Sequence, residues 1–161
     1  MAHRRSAPGR TYIAVVGPGD ASTTEFDAAE AVGRGLARAG ATVVTGGLGG
    51  VMAAASRGAT SAGGTTVGLL PGTSRADGNE WLTIALPTGM GELRNGLVVR
   101  AADAVIAIGG GYGTLSEVAL ALKTGTPVIG LNTWAIEGVE PVDSPEEAVN
   151  QALRRTAGPR D

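Results

Sequence analysis

Three short runs rich in β-branched residues, Tyr12–Val16, Thr42–Thr45 and Ala104–Ile108, each end on a cluster of glycines. The clusters are Gly17-Pro18-Gly19, Gly46-Gly47-Leu48-Gly49-Gly50 and Gly109-Gly110-Gly111-Tyr112-Gly113. A run of this length, apolar on both faces and bounded by glycine, fits a strand buried inside a parallel sheet. Residues 65–70 and 127–131 read the same way. Gly63-Gly64 and Gly89-Met90-Gly91 complete five clusters, which hold fourteen of the 27 glycines among 161 residues. The overall share is well above the usual ~7%, and it has no three-residue period.

Helical patterns lie between these runs. Residues 24–39 space Phe26, Ala29, Val32, Leu36 and Ala39 along one face, with Thr24 as the expected N-cap and Gly40 as the stop. Residues 50–62 form a small, Ala-rich segment suited to close packing on a sheet. Residues 90–102 place Met90, Leu93, Leu97 and Ala101 on one side, and residues 114–123 do the same with Leu115, Val118, Ala119 and Leu122. Ser144-Pro145-Glu146-Glu147 combines an N-cap, proline in the first turn and a capping-box glutamate, and starts a last helix running to about Arg155. Strand and helix alternate throughout. The fold class is therefore α/β: a single Rossmann-like domain over residues 11–155, with a parallel sheet flanked by helices on both faces. Residues 1–10 and 156–161 are expected to be flexible tails.

Composition removes many functions. No cysteine is present, and the single histidine, His3, lies in the N-terminal tail. Cysteine nucleophiles, Ser-His-Asp chemistry and histidine-rich zinc sites are excluded by inventory, and no metal site is expected. A net charge of −2 gives no electrostatic footprint for nucleic acid. No apolar run is long enough to span a membrane, and nothing behind His3, Arg4, Arg5 and Arg10 resembles a signal peptide. The expected location is cytoplasmic.

Ligands of such sheets bind at the carboxyl ends of the strands, where the glycine clusters stand. A glycine loop between a strand and a helix aims backbone N–H groups outward at the positive end of the helix dipole, which makes an anion site. The alternative is that the glycines only make tight turns. Gly63-Gly64 reads as a turn. Gly46, Gly47, Gly49 and Gly50, and Gly110, Gly111, Tyr112, Gly113 and Thr114, read as a phosphate cradle, with Gly17, Gly19 and Ser22 as further candidates. The first loop lacks the third glycine of a dinucleotide fingerprint, and no acidic residue follows the second strand, so NAD is disfavoured. Glu117 stands one turn into the helix opened by the last loop. It is either the far end of a Thr114–Glu117 capping box or a carboxylate beside the ligand. Arg94 is either a surface arginine lying along its helix or a site residue. Arg100 and Asp103 read as a solvated helix end and a strand-entry turn. Tyr112, Trp81 and Trp134 are the aromatic candidates for a ring neighbour.

Residues 109–117, Gly-Gly-Gly-Tyr-Gly-Thr-Leu-Ser-Glu, resemble the P-G-G-x-G-T-x-x-E motif of the Lonely Guy family, once labelled lysine decarboxylase-like. Arg94-Asn95 precedes Ala102-Asp103-Ala104-Val105-Ile106 where that family carries Arg-Lys before its own Ala-Asp strand entry. Gly46-Gly47-Leu48-Gly49-Gly50-Val51-Met52, with Val67-Gly68-Leu69-Leu70-Pro71, is similar to the family's second block. The resemblance implies a nucleoside 5'-monophosphate phosphoribohydrolase, which releases the base from ribose 5'-phosphate without a cofactor. It also implies a homodimer with sites near the subunit interface. Arg94 and Glu117 would be the catalytic pair; Asn95 and the 109–114 loop would hold the ligand. The sequence departs from the motif at Gly109, where the family has proline, and at Asn95, where it has lysine. In both it looks closer to short bacterial relatives that resemble molybdenum cofactor carriers. That branch implies the alternative function, non-catalytic binding of a phosphorylated pterin.

Overall fold

A computed structural model describes residues 9–157. Seven strands form one parallel sheet: β1 (Tyr12–Val16), β2 (Thr42–Thr45), β3 (Thr66–Leu70), β4 (Ile84–Pro87), β5 (Ala104–Ile108), β6 (Val128–Leu131) and β7 (Val139–Val142). Their order is β4-β3-β2-β1-β5-β6-β7. The chain winds outward from β1 to β4, then returns to the other side of β1 with β5. β1 and β5 pair directly, Ile13 opposite Ala104 and Val16 opposite Ala107, so the topological switch point lies between them. In such sheets this is where the loops separate and leave a crevice.

Alternate residues of the central strands face two cores. Ile13, Val15, Ile106 and Ile108 meet α1 (Thr23–Arg38), α2 (Val51–Ser61) and α5 (Pro145–Thr156). Ala14, Val16, Val105 and Ala107 meet α3 (Asn95–Arg100) and α4 (Tyr112–Lys123). The five strands read from sequence are present to within one residue at each end. β4 and β7 are additional. Each lies at a sheet edge, is only partly buried and contains proline, Pro87 or Pro141. Proline is tolerated on edge strands because one side of the strand needs no ladder donor, and such strands lack the two-sided apolar pattern.

Three helix assignments are corrected. The cap of α1 is Ser22 rather than Thr24: its hydroxyl accepts from the Glu25 amide, and the Glu25 carboxylate accepts from the Ser22 amide. Residues 90–102 are not one helix. A 3-10 turn spans Gly91–Arg94 and the α-helix begins only at Asn95. Gly89 and Gly91 have φ of 65° and 56°, left-handed values that helical hydrogen bonding cannot continue through. This resets the buried face, so Val98 and Val99 are buried while Met90, Leu93 and Leu97 are exposed, Leu93 by 76%. In the next helix, α4 starts at Tyr112 rather than Thr114, and Ala119 faces solvent while Val118 and Ala121 are buried. The last helix ends at Thr156, within the expected tail. Of the two expected tails, residues 1–8, including His3, and 158–161 lie outside the described residues. Among the described residues no helix is long and apolar enough to cross a membrane.

α1 and α2 meet backbone to backbone. A Cβ on Gly33 would stand 2.0 Å from the Ala55 carbonyl oxygen, and one on Gly58 would stand 2.0 Å from that of Glu30. Gly58→Ala gains about 1 kcal/mol of helix propensity, yet it must push the helices apart. We expect a net loss of about 2 kcal/mol in denaturant unfolding. Gly96→Ala, which meets nothing within 4 Å, is expected to raise stability by about 0.5 kcal/mol in the same measurement.

Candidate functional site

The glycine loops after β1, β2 and β5 converge at the switch point, but their glycines serve different ends. A Cβ on Gly17 would meet the Ile108 carbonyl oxygen at 2.6 Å, and one on Gly46 would meet the Arg94 guanidinium at 2.6 Å. Gly50, with φ 61°, abuts the carbonyl oxygens of Pro18 and Gly19, and the Val51 amide donates to Pro18. The Gly47 amide donates to the Thr45 hydroxyl, and the Gly47 and Leu48 carbonyls accept from the amide and side chain of Asn79. Gly17, Gly46, Gly47 and Gly50 are therefore explained by packing. Gly19, Gly49, Gly111 and Gly113 have no atom closer than 3.6 Å to where a Cβ would stand. For these four the protein supplies no packing reason for glycine.

Gly111 is the N-cap of α4 and offers no side-chain cap. The amides of Tyr112, Gly113 and Thr114 are first-turn donors that a helix cannot satisfy internally; the first internal bond is from Leu115 to Gly111. These donors stand at the positive end of a 12-residue helix, a cradle that would favour an anion. The equivalent end of α1 is filled by its own Glu25 carboxylate, which also lies against Gly109. Ser22 is thus engaged in capping.

Arg94 is 8% exposed, in contrast to a surface arginine, and all three of its guanidinium nitrogens are engaged. Nε donates to the Leu69 carbonyl at 2.8 Å, one terminal nitrogen to the Gly46 carbonyl at 3.3 Å, and the other to the Asn95 side-chain oxygen. Asn95 passes the contact on. Its Nδ2 donates to Ser116 Oγ at 3.1 Å, and Ser116 Oγ donates to the Gly113 carbonyl at 2.7 Å. The residue standing where the Lonely Guy motif has lysine therefore links the buried cation to the cradle. Ser116 was not singled out in the sequence, because a serine in the first turn of a helix reads as a surface residue.

Glu117 does not cap α4, which begins at Tyr112 and places Glu117 well inside it. Its side chain is buried, 7% exposed, and makes no hydrogen bond or ion pair among the described residues. Burial pushes its pKa up to about 7, against the opposing pull of the Arg94 charge. Burial likewise lowers the Arg94 pKa, offset by the carboxylates of Glu117 and Glu92. The structure thus brings Arg94, Asn95, Glu117 and the cradle together. A carboxyl group with a pKa near 7 can give or take a proton at neutral pH.

Residues 10–157 match the model of one family. The chain belongs to the SLOG cluster4 family. Another similar protein is an uncharacterized protein of Archaeoglobus fulgidus, 42% identical over 142 residues, covering 88% of this chain and 93% of the relative. Among solved structures, this SLOG cluster4 chain is similar to the molybdenum cofactor binding protein of Rippkaea orientalis. The identity is 36% and the TM-score 0.85, over 92% of this chain and 98% of that one. It is also similar to the molybdenum cofactor carrier protein of Chlamydomonas reinhardtii, at 31% identity and TM-score 0.84, over 93% and 100% of the two chains.

Of the aromatic candidates in this SLOG cluster4 chain, Trp81 precedes β4 and lies with Arg57 (5.7 Å from ring centre) at the opposite, amino end of the sheet. Tyr112 is 93% exposed at the cradle, and Trp134 covers Gly110. At the amino end too, Asp103 accepts from the Tyr12 amide, as a strand-entry turn should.

The raised pKa of Glu117 has a signed consequence. A carboxyl group that holds its proton more tightly when folded binds more protons in the native than in the unfolded state between its two pKa values. Stability then falls as pH rises from about 4.5 through about 7, and is level beyond. Glu117→Gln should remove that fall. We expect the variant to gain on the parent protein between pH 5 and 8, by at most ~3 kcal/mol, in parallel denaturant titrations.

Proposed function

We propose that this chain binds and carries a phosphorylated pterin of the molybdenum cofactor kind without reacting it. The phosphate sits on the amides of Gly111, Tyr112, Gly113 and Thr114, with the open positions Gly49 and Gly19 across the crevice. One observation carries the reading: Arg94, the cation that the Lonely Guy resemblance would set beside a substrate, is held by Gly46, Leu69 and Asn95 and so acts as an internal strut. A carrier needs an open cradle and a rigid frame, and both are present. Similarity over nearly the whole chain to the Rippkaea and Chlamydomonas proteins supports the same reading.

Transfer of molybdenum cofactor to a cofactor-free enzyme tests this directly. The protein should protect the cofactor and reconstitute that enzyme. Gly111→Ala, which meets nothing within 4 Å in the fold, should keep its unfolding temperature yet weaken binding at least tenfold.

A second reading, phosphoribohydrolysis, is favoured by the buried Glu117 with its pKa near 7. There the carboxyl group would stabilise a developing oxocarbenium centre and handle the proton. The two readings separate in one assay. Incubation with AMP should release no adenine; adenine release that disappears in Glu117→Gln would instead establish hydrolysis.

We further infer a homodimer through the α3 side of the sheet. Met90, Leu93, Leu97 and Leu120 are exposed there, around the buried Arg94 and Glu117. An apolar group of this kind beside a site marks a surface that is covered in use. Light scattering should give twice the chain mass for the parent protein and the single-chain mass for Leu93→Glu.

A further inference from the structure

Beyond the end of β6 the chain turns at Asn132, which has φ 53°, the one left-handed non-glycine residue among those described. Such a backbone is unfavourable outside glycine and is kept where the surroundings fix it. The turn folds Trp134 back over the β5 loop. The six-membered part of its indole lies 2.9–3.1 Å from where a Cβ on Gly110 would stand, so glycine at that position makes room for the ring. Two hollows open beside it and share Asn132, Thr133 and Trp134. One, of about 270 Å³, is floored by Gly109 and Gly110. The other, of about 490 Å³, continues toward β7 and carries the carboxylates of Glu137 and Asp143. Thr133 Oγ1 is shut off from solvent without a hydrogen-bond partner among the described residues. No ion pair is formed by Glu137 or Asp143 among those residues.

The cleft starts one residue from the anion cradle, on the β6 side, whereas Arg94 holds the loops from the β2 and β3 side. A ligand with its phosphate on Gly111–Thr114 amides can therefore lay a ring into it. Its furnishings are an aromatic wall, an amide and unpaired carboxylates. A carboxylate accepts two parallel hydrogen bonds from adjacent N–H groups on one planar edge. The 2-amino-4-oxopyrimidine edge shared by pterins and guanine presents such a pair, and adenine does not.

We propose that the Asn132-Thr133-Trp134 cleft is the ring-binding half of the site and selects a 2-amino-4-oxopyrimidine ring. Trp134 supplies the stacking surface, and Glu137 and Asp143 meet the N–H edge. The inference rests on the carrier reading, because it needs a phosphate on the α4 cradle and a ring lying away from Arg94.

The test is calorimetric titration of the full-length chain with GMP, AMP, dihydroneopterin monophosphate and inorganic phosphate. Trp134 fluorescence is followed in parallel in a Trp81→Phe background. GMP and the pterin phosphate should bind at least tenfold more tightly than AMP and quench Trp134, and the tighter of the two names the source of the ring. Glu137→Gln with Asp143→Asn should erase the preference while leaving inorganic phosphate binding unchanged. Trp134→Phe should retain the preference, and Trp134→Ala should lose it. Equal affinity for all three monophosphates, or a preference untouched by the carboxylate and Trp134→Ala variants, overturns the cleft assignment but leaves the carrier reading standing. Failure of the parent protein to bind any of the four overturns both.

Discussion

The candidate site is organised around one buried cation. Arg94 ties the carboxyl end of β3, through the Leu69 carbonyl, to the end of β2, through the Gly46 carbonyl, and to its own neighbour Asn95. A guanidinium removed from water must satisfy its donors locally; here two backbone oxygens at the carboxyl ends of β2 and β3 and the Asn95 side-chain oxygen do so. Asn95 carries the link to Ser116 and on to the Gly113 carbonyl. The anion cradle is therefore braced against the sheet by hydrogen bonds rather than only by helix packing. The same charge restrains the upward shift that burial imposes on Glu117.

The glycines divide along the same line. In the first two loops, Gly17, Gly46, Gly47 and Gly50 allow close approach: Gly50 abuts the Pro18 and Gly19 backbones, and Gly46 the Arg94 guanidinium. They build the frame. The glycines at 111 and 113 face open space at the first turn of α4, where unsatisfied amides and the helix dipole favour an anion. Carrying and cleaving place different demands on these parts. Both need the cradle, but cleavage also needs groups free to change their bonding along the reaction. Arg94 is already committed, and only Glu117 retains that freedom.

Much of the fold was legible because the central strands are buried on both sides. Their β-branched runs and bounding glycines made them visible without any knowledge of pairing. The edge strands β4 and β7 were not visible, since each is partly exposed and contains a proline, so their membership depends on a neighbour supplying the ladder. The apolar spacing of residues 90–102 was misleading. The two left-handed glycines delay the helix, so Leu93 and Leu97, which the spacing placed on an inward side, lie outside.

The sequence by itself determined the α/β class, the strand-end placement of the glycine loops and the short inventory that leaves Arg94 and Glu117 as the ionisable pair of interest. These follow from local pattern and composition, which need no partner elements. Tertiary structure decided what the residues do. Only folding brings Gly46 and Leu69 carbonyls to Arg94 across the sheet and makes it a strut. Only burial within α4 removes Glu117 from a cap and shifts its proton equilibrium. Only the pairing of β5 with β6 sets Trp134 and Asn132 beside the cradle. Each of these depends on contacts between residues distant in the chain, which hydrophobic period and motif spacing do not encode.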